Sequence, residues 1–101
     1  MNTANLQLEG LYLALAAINE TLVEKSVLTR DEVDLALRRA EQTALGDYRS
    51  DDLSPAERDA VVFGPRLLIL ANERSASGNL PSFSELAKLV GLNKHPHADQ
   101  Q

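Results

Sequence analysis

The sequence predicts an all-α fold, a small bundle of four to five helices, on three observations. Hydroxyl-x-x-Glu boxes stand at Thr29 with Glu32, Ser54 with Glu57 and Ser82 with Glu85, and each opens a run whose apolar residues recur at helical spacing. Residues 6–25 form a fourth such run, the longest in the chain. No segment alternates apolar and polar residues for long enough to make a strand. A length of 101 residues suits one domain with one core, and four aromatic residues without Trp leave that core mainly aliphatic. Residues 1–92 are read as the helical domain and 93–101 as a flexible polar tail.

The first helix is expected over about 6–25. Leu8, Leu11, Leu15, Ile18 and Leu22 fall on one stripe, spaced three, four, three and four. Gly10, Ala14, Ala17 and Thr21 form a second stripe of small residues, while Glu9, Glu20 and Glu24 mark a polar, water-facing edge that includes Leu13. A surface helix usually carries a single apolar stripe. This one is equipped for cover from two sides, as a central helix or as a contact between subunits.

Thr29 opens a second helix over about 30–45, with Val33, Ala36, Leu37, Ala40 and Ala44 on its inner face and Gly46 as its stop. A short connection makes the first two helices an αα-hairpin, and the small-residue stripe is expected to admit the alanine-rich second helix closely. Asp34 and Arg38 pair across one turn of its polar side.

Ser54-Pro55 starts a third helix over 55–75, Pro55 being suited to a first helical position. Gly64-Pro65 predicts a kink or a break into pieces near 55–63 and 65–75, because proline lacks an N–H and crowds the preceding turn. The run Leu67 to Ala71 is apolar on all sides and should be buried. Ser82 opens a short fourth helix over about 83–90, closed by Gly91.

Composition narrows the functional classes. A formal charge of −5 opposes binding to phosphate backbones, and the absence of cysteine removes disulfides, thiolate metal sites and a Cys nucleophile. No uninterrupted apolar run reaches the ~20 residues of a membrane span, and no basic residue precedes the first apolar run as in a secretory signal. A cytoplasmic protein is expected. No Gly-x-Ser-x-Gly elbow, Gly-rich phosphate loop or His-Glu-x-x-His helix is present, so no enzyme, cofactor or metal is expected. His95, His97 and Asp99 alternate in the tail, where adventitious metal contact is the most they suggest. Asp47, Asp51 and Asp52 lie in a linker without the glycine and terminal Glu of a calcium loop.

Two segments resemble known patterns. Residues 22–33, LVEKSVLTRDEV, are similar to a helix–turn–helix-cap phrase widespread in bacterial proteins, often with Gly where Ser26 stands. Residues 82–94, SFSELAKLVGLNK, resemble the opening of a bacterial helix-turn-helix, matched at Glu85-Leu86-Ala87 and Gly91-Leu92. That resemblance implies a DNA-binding regulator, although Asn93-Lys94-His95-Pro96-His97 stands where the groove-reading helix should begin. The same residues also suit a capped helix that packs Leu86, Leu89 and Val90 on the core.

Burying the five residues of the leucine stripe is worth on the order of 10 kcal/mol, at roughly 2 kcal/mol each. The sequence therefore predicts a non-catalytic protein acting through protein–protein contacts, with homodimerisation through Leu8, Leu11, Tyr12, Leu15, Ile18 and Leu22, or an unidentified protein partner on that surface. Leu13, Val23 and Leu35 are expected to extend the contact.

Overall fold

The computed structural model describes residues 3–46, 53–78 and 80–93. Its four helices are α1 (Thr3–Glu24), α2 (Arg30–Gly46), α3 (Pro55–Ser75) and α4 (Phe83–Asn93), with no strand among the described residues. The all-α bundle read from the sequence is the fold.

Local chemistry sets the helix starts. At α2, Thr29 Oγ1 accepts from the Glu32 N–H at 3.0 Å and Glu32 Oε1 accepts from the Thr29 N–H at 2.8 Å, which completes a reciprocal capping box. Ser54 and Glu57 repeat it at α3, with distances of 3.2 and 2.9 Å. These bonds hold the Glu57 carboxyl below its ordinary pKa, the Ser54 backbone N–H contributing most. At α4 the Ser82 hydroxyl accepts from the Glu85 N–H at 3.2 Å.

The end of α1 is a Schellman motif. Ser26 stands at φ 59°, its N–H donating to the Val23 carbonyl and the Val27 N–H to the Leu22 carbonyl, both at 3.0 Å. The glycine usual in this phrase is absent, and a serine occupies the left-handed position.

The third helix runs unbroken from Pro55 to Ser75 with Pro65 inside it, so the expected division into two pieces does not occur and the described residues form four helices. Proline costs α3 one backbone bond, but apolar burial on both sides of the site holds the helix together. Val62 lies before it, and Leu67, Leu68, Ile69, Leu70 and Ala71 follow it, all buried. The fourth helix also outruns its expected end at Val90. Gly91 has no positive φ, so it continues the helix to Asn93 and does not cap it.

The largest correction concerns which helix is central. It is α3, not α1. Each of α1, α2 and α4 packs against α3. The core joins Ala16 of α1, Leu67, Leu68, Leu70 and Ala71 of α3, and Leu86 and Val90 of α4, with Tyr12, Leu37, Phe63, Phe83 and Leu89 packed around it. On α2, Val33 is buried and Leu37 and Ala44 are half-buried, whereas Ala36 and Ala40 face solvent. The second helix thus rests on α3, and the small stripe of α1 (Gly10, Ala14, Ala17, Thr21) is exposed and does not receive it.

Polar bonds fasten these contacts. The Arg30 guanidinium donates to both Glu20 oxygens at 2.9 and 3.0 Å, and its Nη1 also reaches the Asn72 carbonyl at 2.8 Å and Asn72 Oδ1 at 3.2 Å. Asn72 is buried, and its Nδ2 returns a bond to the Arg30 carbonyl at 3.0 Å. One arginine therefore ties α1, α2 and α3 together. The bond to Arg30 draws the Glu20 carboxyl below its ordinary value, and Glu20 raises that of Arg30. Arg66 bonds Glu41 at 2.6 Å, a second link between α3 and α2. The predicted pair of Asp34 and Arg38 is formed at 2.8 Å.

Candidate interaction surface on the first helix

The orientation of α1 follows from what its inner face can offer α3. Ala16 is buried, and Tyr12, Leu13, Asn19, Glu20 and Val23 are half-buried along the same side. Glu20 comes inward because Arg30 meets it there, and half-buried Glu9 shares that side. The edge read as polar and water-facing is therefore the packed edge, apart from exposed Glu24.

A glycine decides how Tyr12 fits. A Cβ on Gly64 would stand 3.0 Å from Tyr12 Cε1, so the ring lies on bare α3 backbone. Tyr12 also meets Phe63 and Phe83 at centroid separations of 5.9 and 6.3 Å, within the range of favourable aromatic pairs. With Tyr12 committed to α3, the helical period turns the leucine stripe outward.

Leu8, Leu11, Leu15 and Ile18 are 44, 52, 37 and 55% exposed, and Leu22 is half-buried. Among the candidate interface residues, Leu8, Leu11, Leu15 and Ile18 thus form one exposed stripe that half-buried Leu22 continues, while Tyr12 belongs to the core side. Leu13 and Val23 also turn inward, and Leu35 is exposed on α2. Spacings of three and four place the stripe at the a and d positions of a heptad, the seam along which helices pair.

The flank of this seam has little that would resist a partner. Ala14, Ala17 and Thr21 are small and uncharged, and the Thr21 hydroxyl is already satisfied by donating to the Ala17 carbonyl at 2.9 Å. Ala17, Ile18, Thr21 and Leu22 wall a shallow hollow between small and large side chains. Such a depression can receive an apolar knob from another helix.

The other candidates are located differently. Leu86 and Val90 of the segment resembling a helix-turn-helix are buried against the core, and Gly91-Leu92, where that pattern turns, are helical. His95, His97, Asp99, Asp47, Asp51 and Asp52 lie outside the described residues, as does the tail from residue 94. Among the described residues no group of three or more His, Asp or Glu side chains is placed to hold a metal ion, and no helix is long and apolar enough to cross a membrane. Comparison with protein-family models, curated proteins and solved structures finds no match.

Sequence reasoning missed the Arg30–Glu20–Asn72 junction and the seating of Tyr12 on Gly64. The first joins residues 42 positions apart and has no local signature. The second had a visible signal in Gly64, which proximity to Pro65 drew into a reading of helix breakage.

Proposed function

We propose that this is a small, non-catalytic cytoplasmic protein that acts through helix-mediated protein contacts, beginning with a homodimer formed along the α1 seam. The observation that carries the reading is the exposure of Leu8, Leu11, Leu15 and Ile18 at a and d spacing on a helix whose opposite side is already packed. A second copy is the favoured occupant because the seam is its own complement: a two-fold axis sets the same leucines and the same small flank against one another.

The energy scale fits a reversible association. Covering a half-exposed leucine-sized side chain is worth about 1 kcal/mol, half the value for full burial. Four on each of two copies give roughly 8 kcal/mol, which falls within the range of the entropic cost of association. The dimer is therefore expected to dissociate on dilution.

Light scattering coupled to size exclusion tests this. Twice the 11.0 kDa chain mass is expected at high concentration, falling toward one chain on dilution. Leu11→Glu and Ile18→Glu should be monomeric with an unchanged helical circular dichroism spectrum, since both positions are more than half exposed within one chain. A wild type that stays monomeric at several hundred micromolar overturns the proposal.

A further inference from the structure

The aromatic residues that orient α1 also wall a cavity of about 600 Å³ between the start of α1, the first half of α3 and the start of α4. That volume falls in the range of small-molecule sites. Tyr12 and Phe83 lie parallel to within 3°, and Phe63 crosses them at 56° and 59°, so the wall presents rings in two orientations. Its apolar remainder comes from Leu8, Ala56 and Ala60.

The charged groups around this wall are of one sign. Glu9 of α1 and Asp59 of α3 contribute carboxylates, Asn5 an amide, and among the described residues no Lys, Arg or His lines the cavity. Asp59 also faces Arg66 at 4.0 Å, which leaves Glu9 as the main source of negative potential. Aromatic rings attract cations through their quadrupole, and a carboxylate at the rim adds direct attraction. An anion would meet repulsion from both carboxylates, and a neutral apolar molecule would use the rings alone.

We propose that this cavity binds a small organic cation, an amine or quaternary ammonium carried on an apolar body, with the body against Tyr12, Phe63 and Phe83 and the charge beside Glu9. The site is separate from the dimer seam except at Leu8, the side chain that borders both. Binding therefore does not require the dimer.

The test is a titration followed by the ring-proton resonances of Tyr12, Phe63 and Phe83. Benzyltrimethylammonium serves as cation, N-benzylacetamide as neutral probe and benzenesulfonate as anion, each on wild type and on Ile18→Glu. Saturable shifts of these rings by the cation are expected in both proteins, with affinity at least about tenfold above the neutral probe and no binding of the anion. Glu9→Gln should weaken the cation about tenfold while leaving the neutral probe unchanged, and Ala60→Leu, at an exposed helical position, should block both by filling the cavity. Equal affinity for cation and neutral probe, no effect of Glu9→Gln, or no movement of these rings in either protein overturns the proposal. Cation binding to wild type alone would refute the independence of site and seam.

Discussion

Replacing Ser26 by glycine should stabilise this protein. Ser26 holds φ 59° at the Schellman end of α1, where a Cβ sits too close to the following carbonyl oxygen, at a cost of roughly 1–2 kcal/mol. Glycine removes that contact but adds about 0.4–1 kcal/mol of chain entropy to the unfolded state. The difference favours glycine by about 0.5–1 kcal/mol. For a domain of this size, about 4–8 °C accompanies each kcal/mol, so a Tm increase of about 2–8 °C is expected. Both bonds of the motif use backbone atoms only, so the exchange leaves them in place. Thermal denaturation followed by circular dichroism measures the effect, at one fixed protein concentration because dimerisation would couple Tm to concentration. Ser26→Val should shift Tm downward, since a β-branched residue tolerates positive φ least. A Ser26→Gly protein that melts at or below wild type would refute the assignment of strain to this position.

Two further perturbations probe the contacts that orient the helices. Gly64→Ala should destabilise by about 1–3 kcal/mol in chemical denaturation, although alanine is the better helix former, because its Cβ would meet Tyr12 Cε1 at 3.0 Å. A double-mutant cycle with Tyr12→Leu should show coupling above about 0.5 kcal/mol, and strict additivity would show that the ring is not the obstacle. For Glu20, Arg30 lowers the folded pKa below the ordinary glutamate value of 4.5. The carboxylate's contribution is therefore complete above the unfolded pKa and disappears as pH falls through the folded one. The stability gap between wild type and Glu20→Gln should be constant near neutrality and close below about pH 4.5; a gap that widens on acidification would contradict the ion pair.

Each part of the fold that was legible in the sequence rests on neighbours close along the chain. Thr29 with Glu32 and Ser54 with Glu57 form their boxes because three residues separate hydroxyl from carboxylate in one helical turn. Ser26 could be placed in the left-handed region from the phrase around it, and the leucine seam could be read as one stripe because the helical period fixes which residues share a side. Helix ends and breaks were less legible. Gly91 and Gly64-Pro65 permit or strain a backbone conformation without dictating it, and burial of Leu86 and Val90, and of Val62 and Leu67 through Ala71, decides that the helices continue.

What the sequence by itself determined is which residues of the first helix share a side: the leucine stripe, the stripe of small residues, and the edge of Glu9, Leu13 and Glu20. Which side faces inward was decided by tertiary structure alone. Local periodicity cannot distinguish a stripe that packs within the chain from one left outside, because the difference lies in a partner distant in sequence. Here that partner is α3, whose Gly64 admits the Tyr12 ring and whose Asn72 holds Arg30 against Glu20. These contacts fix the rotation of α1 about its axis, and that rotation leaves Leu8, Leu11, Leu15 and Ile18 in water.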